Sequence, residues 1–156
     1  MKRQSSYAKD EGKLYLVPTP IGNLKDITIR AKKVLTDADY IAAEDTRTSG
    51  ILLEKIGVHN KMISFHKYNS KERAPELIKL MKDGAVIAEI SDAGMPVISD
   101  PGYILVQECI KNNIPVVPLP GPSAFATALI ASGFDAQHLL TSLFTKKIIP
   151  RNKSIL

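Results

Sequence analysis

Five short apolar runs, each followed by a polar loop and then by a segment of helical spacing, constrain this chain more than any other feature. The runs are 14–17, 40–43, 62–65, 85–90 and 115–119, and the helical segments are about 28–37, 48–56, 73–83, 103–111 and 123–131. In the third helix Leu77, Ile78 and Met81 turn inward, and Pro75 is expected in the first turn, where a missing N–H costs least. Strands alternating with helices at this spacing predict an α/β domain: a mostly parallel five-stranded sheet with helices on both faces. The almost unbroken apolar run 85–90 suits a strand covered on both sides. In a parallel sheet the loops after the strands all leave by one edge, and that edge is where open α/β sheets bind ligands.

The loops at that edge are chemically dense. The first reads Pro18-Thr19-Pro20-Ile21-Gly22-Asn23, and the fourth Ser91-Asp92-Ala93-Gly94-Met95-Pro96-Val97-Ile98-Ser99-Asp100-Pro101-Gly102. Glycines there let the chain turn sharply and let a ligand approach the backbone, while prolines fix φ in advance of binding. Pro122-Ser123-Ala124 opens a small-residue helix whose first amides can meet a polar or anionic group, although a plain capped helix reads the same way. Glu44-Asp45-Thr46-Arg47 ends the second strand. Asp45 there is either a helix cap, worth about 0.5–2 kcal/mol, or a proton acceptor beside an Arg47 that grips phosphate. His66-Lys67-Tyr68-Asn69 ends the third strand and suits contacts to a nucleic-acid loop.

Several chemistries are excluded. After the first strand there is no G-x-G-x-x-G and no glycine-lysine phosphate loop, so the standard dinucleotide-binding and P-loop readings fail. No nucleophile elbow is present. His59, His66 and His138 are scattered and Cys109 stands alone, which leaves no metal site and no internal disulfide. Cys109 is expected to be a small buried hydrophobe, and a reducing cytoplasm fits. No apolar run can span a bilayer. The net charge of +5 is compatible with an RNA partner, though much of it lies near the two ends.

Four motifs in order carry a resemblance: Val17-Pro18-Thr19-Pro20-Ile21-Gly22-Asn23-Leu24, Ala43-Glu44-Asp45-Thr46-Arg47, Ser91-Asp92-Ala93-Gly94-Met95-Pro96 with Asp100-Pro101-Gly102, and Pro118-Leu119-Pro120-Gly121-Pro122-Ser123-Ala124. Over about 14–133 the chain resembles the small-subunit ribosomal RNA methyltransferase I family of the tetrapyrrole methylase superfamily. That resemblance implies S-adenosylmethionine-dependent 2′-O-methylation of a cytidine ribose, in a cleft between two α/β domains. By position it implies cofactor contacts from Ile21, Asp92, Ala93, Gly94, Val97, Ser123 and Ala124. Asp45 and Asp100 are then the candidate proton acceptors, with Arg47 and His66 facing the substrate. The implied partners are small-subunit ribosomal RNA or the 30S subunit and a second copy of the chain.

The expected organisation is a disordered leader over 1–13, the α/β domain over 14–134, and a linker or truncated tail over 135–156. The tail Ile148-Ile149-Pro150-Arg151-Asn152-Lys153-Ser154 resembles the family's linker into a second domain, which is expected to be absent. On that view the chain by itself is a partial enzyme with weak or absent activity. Two other readings stay open: a methyltransferase acting on a small tetrapyrrole, and a non-catalytic RNA- or ribosome-binding domain.

Overall fold

The computed structural model describes residues 11–98 and 100–134. Most of the expected leader and all of the expected tail lie outside these residues, while Lys13 already opens the first strand. The strands are β1 (Lys13–Leu16), β2 (Tyr40–Ala43), β3 (Met62–Ser64), β4 (Val86–Ile90) and β5 (Val116–Pro118). The helices between and after them are α1 (Ile29–Asp37), α2 (Thr46–Lys55), α3 (Ser70–Lys82), α4 (Gly102–Lys111) and α5 (Ala124–Ala131). A short 3-10 turn over Leu24–Asp26, not anticipated from the sequence, joins the first loop to α1.

Every strand pair is parallel, and the order across the sheet is β3-β2-β4-β1-β5. Side chains alternate between the two faces, as the pleat requires. Ile41, Ala43, Ala88 and Ile90 pack with Ala31 and Leu35 of α1 and Leu53 of α2. On the other face Leu14, Ala42 and Ile87 pack with Leu77, Ile78 and Met81 of α3 and with Leu105 and Cys109 of α4. Cys109 is fully buried, as expected, and its thiol is pushed up to about 12 by burial first and then by the charge of Glu89.

Helix starts depart from the sequence reading where a cap wins. Thr28 caps α1 through its hydroxyl, which accepts from the Ala31 amide at 2.9 Å. Helix α2 begins two residues early, because the Asp45 carboxylate accepts from the Arg47 amide at 2.8 Å and the Thr48 hydroxyl at 3.2 Å. Helix α3 begins at Ser70, not near residue 73, so Pro75 sits in its second turn. There it deprives the Lys71 carbonyl of its helical donor. Pro75 and Lys71 are both exposed, so water can reach that carbonyl. What pulls the start forward is the turn before it: Asn69 Oδ1 accepts from the His66 amide, and the His66 carbonyl accepts from the Ser70 amide.

The chain divides into two compact units, Met1–Ser123 and Ala124–Leu156. The whole sheet and α1 to α4 belong to the first. In the second, α5 is a helix of Ala, Phe, Thr, Leu and Ile, followed by Gly133 in the left-handed region at φ 73°. Among the described residues no helix is long and apolar enough to cross a membrane.

Candidate functional site

The chain leaves β1 toward β2 on one side and leaves β4 toward β5 on the other, although β1 and β4 are neighbours. Loops that part in opposite directions open a crevice at the carboxyl end of the sheet. Here that crevice is braced. Thr19 and Gly94 form an antiparallel bridge, with the Thr19 amide donating to the Gly94 carbonyl at 2.9 Å and the reverse bond at 3.1 Å. The Thr19 hydroxyl, fully buried, donates to the Ser91 carbonyl at 3.1 Å.

A third loop closes on the same place. A Cβ at Gly94 would lie 3.2 Å from Ile21 Cγ2 and 3.9 Å from the Pro122 carbonyl oxygen, and Gly94 has φ +82°. A Cβ at Gly121 would lie 2.7 Å from Pro18 Cβ. The loops after β1, β4 and β5 therefore meet on backbone and small groups. Asp92 and Ala93 stay exposed there, while Ile21, Val97 and Ser123 are half-buried. Val97 has φ 77°, a conformation a β-branched residue adopts only under constraint. Ala124 is the first residue of α5 and belongs to the second unit.

Beside this crevice lies a cleft of about 370 Å³. Val97, Pro101 and Ile104 give it an apolar wall, Glu44 and Asp100 bring carboxylates to it, and Lys67 and Tyr103 complete the lining. Asp100 Oδ1 accepts from the Gly102 amide at 2.6 Å, holding the start of α4, while buried Oδ2 has no partner among the described residues. Burial raises the Asp100 pKa, the amides of Gly102 and Val97 pull it back, and Asp92 raises it further. Glu44 is raised by burial and then by Asp100 and Asp92, with His66 opposing.

Sequence reasoning passed over Glu89. It is 2% exposed on the β4 face that meets α4, its Oε2 has no partner among the described residues, and its pKa is pushed up to about 8 by burial, then by Asp100 and Glu44. The signal was present: one carboxylate interrupts an otherwise apolar strand, Val86-Ile87-Ala88-Glu89-Ile90. Glu44 and Tyr103 were also left without a role, since nothing in sequence order puts them on one cleft.

Asp45 is not among the residues lining the cleft. Its exposed carboxylate is held by the first turn of α2, and the Arg47 amide above all lowers its pKa. Arg47 is exposed beside it. His66 Nδ1 accepts from the Tyr68 amide at 3.2 Å, and the two rings meet edge to face at 6.1 Å. Among the described residues no group of three His, Cys, Asp or Glu side chains is arranged to hold a metal ion.

Residues 13–153 match the model of the tetrapyrrole (corrin/porphyrin) methylases. The chain is 51% identical over 150 residues to the ribosomal RNA small subunit methyltransferase I of Streptococcus pyogenes serotype M6, covering 94% of this chain and 52% of that protein. The proteins of the same name from Thermotoga maritima and Escherichia coli O157:H7 are each 50% identical, with 92% and 88% of this chain covered and 63% and 48% of theirs. The chain thus spans about half the length of the curated relatives it matches. Among solved structures, uroporphyrin-III-C-methyltransferase from Thermus thermophilus is similar at TM-score 0.61 and 25% identity, over 82% of this chain and 55% of that one.

Proposed function

The chain belongs to the tetrapyrrole (corrin/porphyrin) methylase family, and from that premise we propose that it supplies the N-terminal α/β domain of an S-adenosylmethionine-dependent ribosomal RNA methyltransferase. The substrate is a cytidine ribose in small-subunit ribosomal RNA, methylated on its 2′-oxygen. One observation carries the reading. Relatives named for small-subunit ribosomal RNA are 50–51% identical across about nine-tenths of the chain, against 25% for the uroporphyrin enzyme that shares its fold.

The crevice between β1 and β4 suits the cofactor. Its three loops meet at Gly94, where a Cβ would press on Ile21 Cγ2 at 3.2 Å and the backbone has φ +82°, so a ligand there would lie close to main chain. Ile21 and Val97 offer apolar contact to an adenosine, and Asp92, the Ala93 backbone and Ser123 offer polar contact, while Gly94, its amide and carbonyl bonded to Thr19, would let the ligand lie close. Ala124 follows by family position alone. S-adenosylmethionine, when bound, supplies a methyl group on a positively charged sulfur.

The ribose hydroxyl is a poor nucleophile until a base takes its proton. Asp100 fits that role better than Asp45, because it lines the cleft and its pKa is raised rather than lowered. Asp100 would hold the ribose hydroxyl by accepting its hydrogen bond and would take up its proton when the oxygen is methylated. Arg47, exposed beside Asp45, and His66, which acts on the charge of Glu44, would be the phosphate and backbone contacts. A cytoplasmic enzyme working as a homodimer on the 30S subunit completes the reading.

Titration of S-adenosylmethionine into the chain by calorimetry, with and without 30S subunits, tests it. Cofactor binding that strengthens with the subunits is expected. Subunit binding with no cofactor binding would leave a non-catalytic RNA-binding domain instead. Methyl transfer to a tetrapyrrole and not to ribosomal RNA would overturn the substrate.

A further inference from the structure

The cleft next to Asp100 contains more than proton transfer from a ribose requires. A base needs only one carboxylate and a path to the hydroxyl. Here an apolar wall of Val97, Pro101 and Ile104 faces a space of about 370 Å³ that also has an aromatic ring, Tyr103, and a second carboxylate, Glu44. Apolar surface with one aromatic side suits a planar ring, and bases drawn out of a stack are held on aromatic and apolar side chains in this way.

Glu44 is the part that discriminates. It follows directly after β2, so the sheet fixes its backbone, and its carboxylate makes no hydrogen bond among the described residues. An ionised carboxylate only accepts hydrogen bonds. Cytosine presents an amino donor at its position 4, whereas uracil presents a carbonyl oxygen there, and a carboxylate accepting from the cytosine amine is an established pairing in base recognition. Beside Glu44, Asp100 and Asp92 add negative charge that an incoming N–H donor relieves and an incoming carbonyl oxygen aggravates. Lys67, in the same lining, gives the anionic backbone of the ligand a counter-charge.

We propose that this cleft receives the base of the nucleotide to be methylated, and that Glu44 selects an amino-bearing pyrimidine by accepting a hydrogen bond from its exocyclic amine while refusing uracil. Tyr103 and the Val97–Pro101–Ile104 wall hold the ring, and Asp100 remains for the ribose. The proposal rests on the reading of the chain as part of an RNA ribose methyltransferase.

The test compares two fluorescently labelled single-stranded RNAs, an all-uridine oligomer and the same oligomer with one central cytidine. Anisotropy titrations with the 156-residue chain are expected to show at least about fivefold tighter binding to the cytidine oligomer. Glu44→Gln, whose amide both donates and accepts, should bring the two affinities within about twofold of each other. It should do so without weakening binding to the all-uridine oligomer, which also shows that the variant is folded. Equal affinity of the wild-type chain for both RNAs overturns the proposal and leaves the methyltransferase reading intact. So does a Glu44→Gln chain that keeps the preference. Cofactor binding with no affinity for either RNA overturns the RNA-enzyme reading itself, and the base pocket with it.

Discussion

Glu89 and Gly102 claim the same space: a Cβ built on Gly102 would overlap the Glu89 carboxyl group, and it would also lie 2.8 Å from Asp100 Oδ1. The glycine that starts α4 is thus what allows a buried acid of β4 to reach the helix end. Gly102→Ala should destabilise the chain by about 1–3 kcal/mol, the usual cost of an overfilled site. Urea unfolding measures it. In Gly102→Ala/Glu89→Ala the two effects should fall short of additive by at least about 0.5 kcal/mol, since the crowding partner is gone. An unchanged unfolding midpoint for Gly102→Ala would show that the site relaxes freely.

The same buried acid makes stability depend on pH in a stated direction. Glu89 has a folded pKa of about 8 against an ordinary value of 4.5, so between those values the folded state holds a proton that the unfolded state has lost. Stability from this group is therefore full below about pH 4.5, declines as pH rises, and is lost above pH 8. The raised Asp100 and Glu44 act with the same sign. The chain should unfold at lower urea at pH 9 than at pH 6. Glu89→Gln, which cannot ionise, should remove most of that difference and gain on the order of a few kcal/mol relative to wild type at pH 9. A slope unaltered by Glu89→Gln would assign the pH dependence to other groups.

Asp45 titrates with the opposite sign, because the Arg47 amide holds its carboxylate below the usual range. Its contribution is present at neutral pH and falls away in acid as the cap is protonated. Asp45→Ala should lower the unfolding temperature by leaving the first turn of α2 uncapped, and Asp45→Asn should recover most of the loss. Thermal unfolding at pH 7 distinguishes the two. Should both variants match wild type, the cap bonds at 2.8 and 3.2 Å would be energetically silent.

The fold was legible because its signals are local. Apolar runs of four to six residues, helical spacing between them and glycines at 57, 84 and 133 define a parallel sheet without any long-range information, and all three glycines have positive φ. The crevice was legible for the same reason, since loops after parallel strands must share an edge. The cleft was not. Glu44, Lys67 and Tyr103 lie after β2, after β3 and within α4, and only the strand order β3-β2-β4 makes their loops neighbours. Helix α3 was misjudged because proline is a strong local signal, overruled here by the Asn69–His66 turn that starts the helix earlier. Asp45 and Asp100 look alike in sequence, each an acid just before a helix. One is an exposed cap and the other is half-buried, with an oxygen that has no partner among the described residues, a distinction burial alone decides.

Gly94 is where fold and function are expected to separate. At φ +82° it adopts a backbone conformation that costs an L-residue about 1 kcal/mol or more. A methyl group there would in addition press on Ile21 Cγ2 at 3.2 Å, which Ile21 can yield to by a small shift because its side chain is only half-buried. Gly94→Ala should therefore leave the chain folded with a loss of about 1–2 kcal/mol. Binding should suffer more, because the two bonds of the Thr19–Gly94 bridge set the spacing of the loops after β1 and β4 that would hold the cofactor. Calorimetry should show S-adenosylmethionine affinity reduced at least tenfold for Gly94→Ala, well beyond its effect on unfolding. Thr19→Val removes the hydroxyl bond to the Ser91 carbonyl but keeps the bridge amides, so its binding should lie between wild type and Gly94→Ala. Equal affinity for all three proteins would move the cofactor away from this crevice.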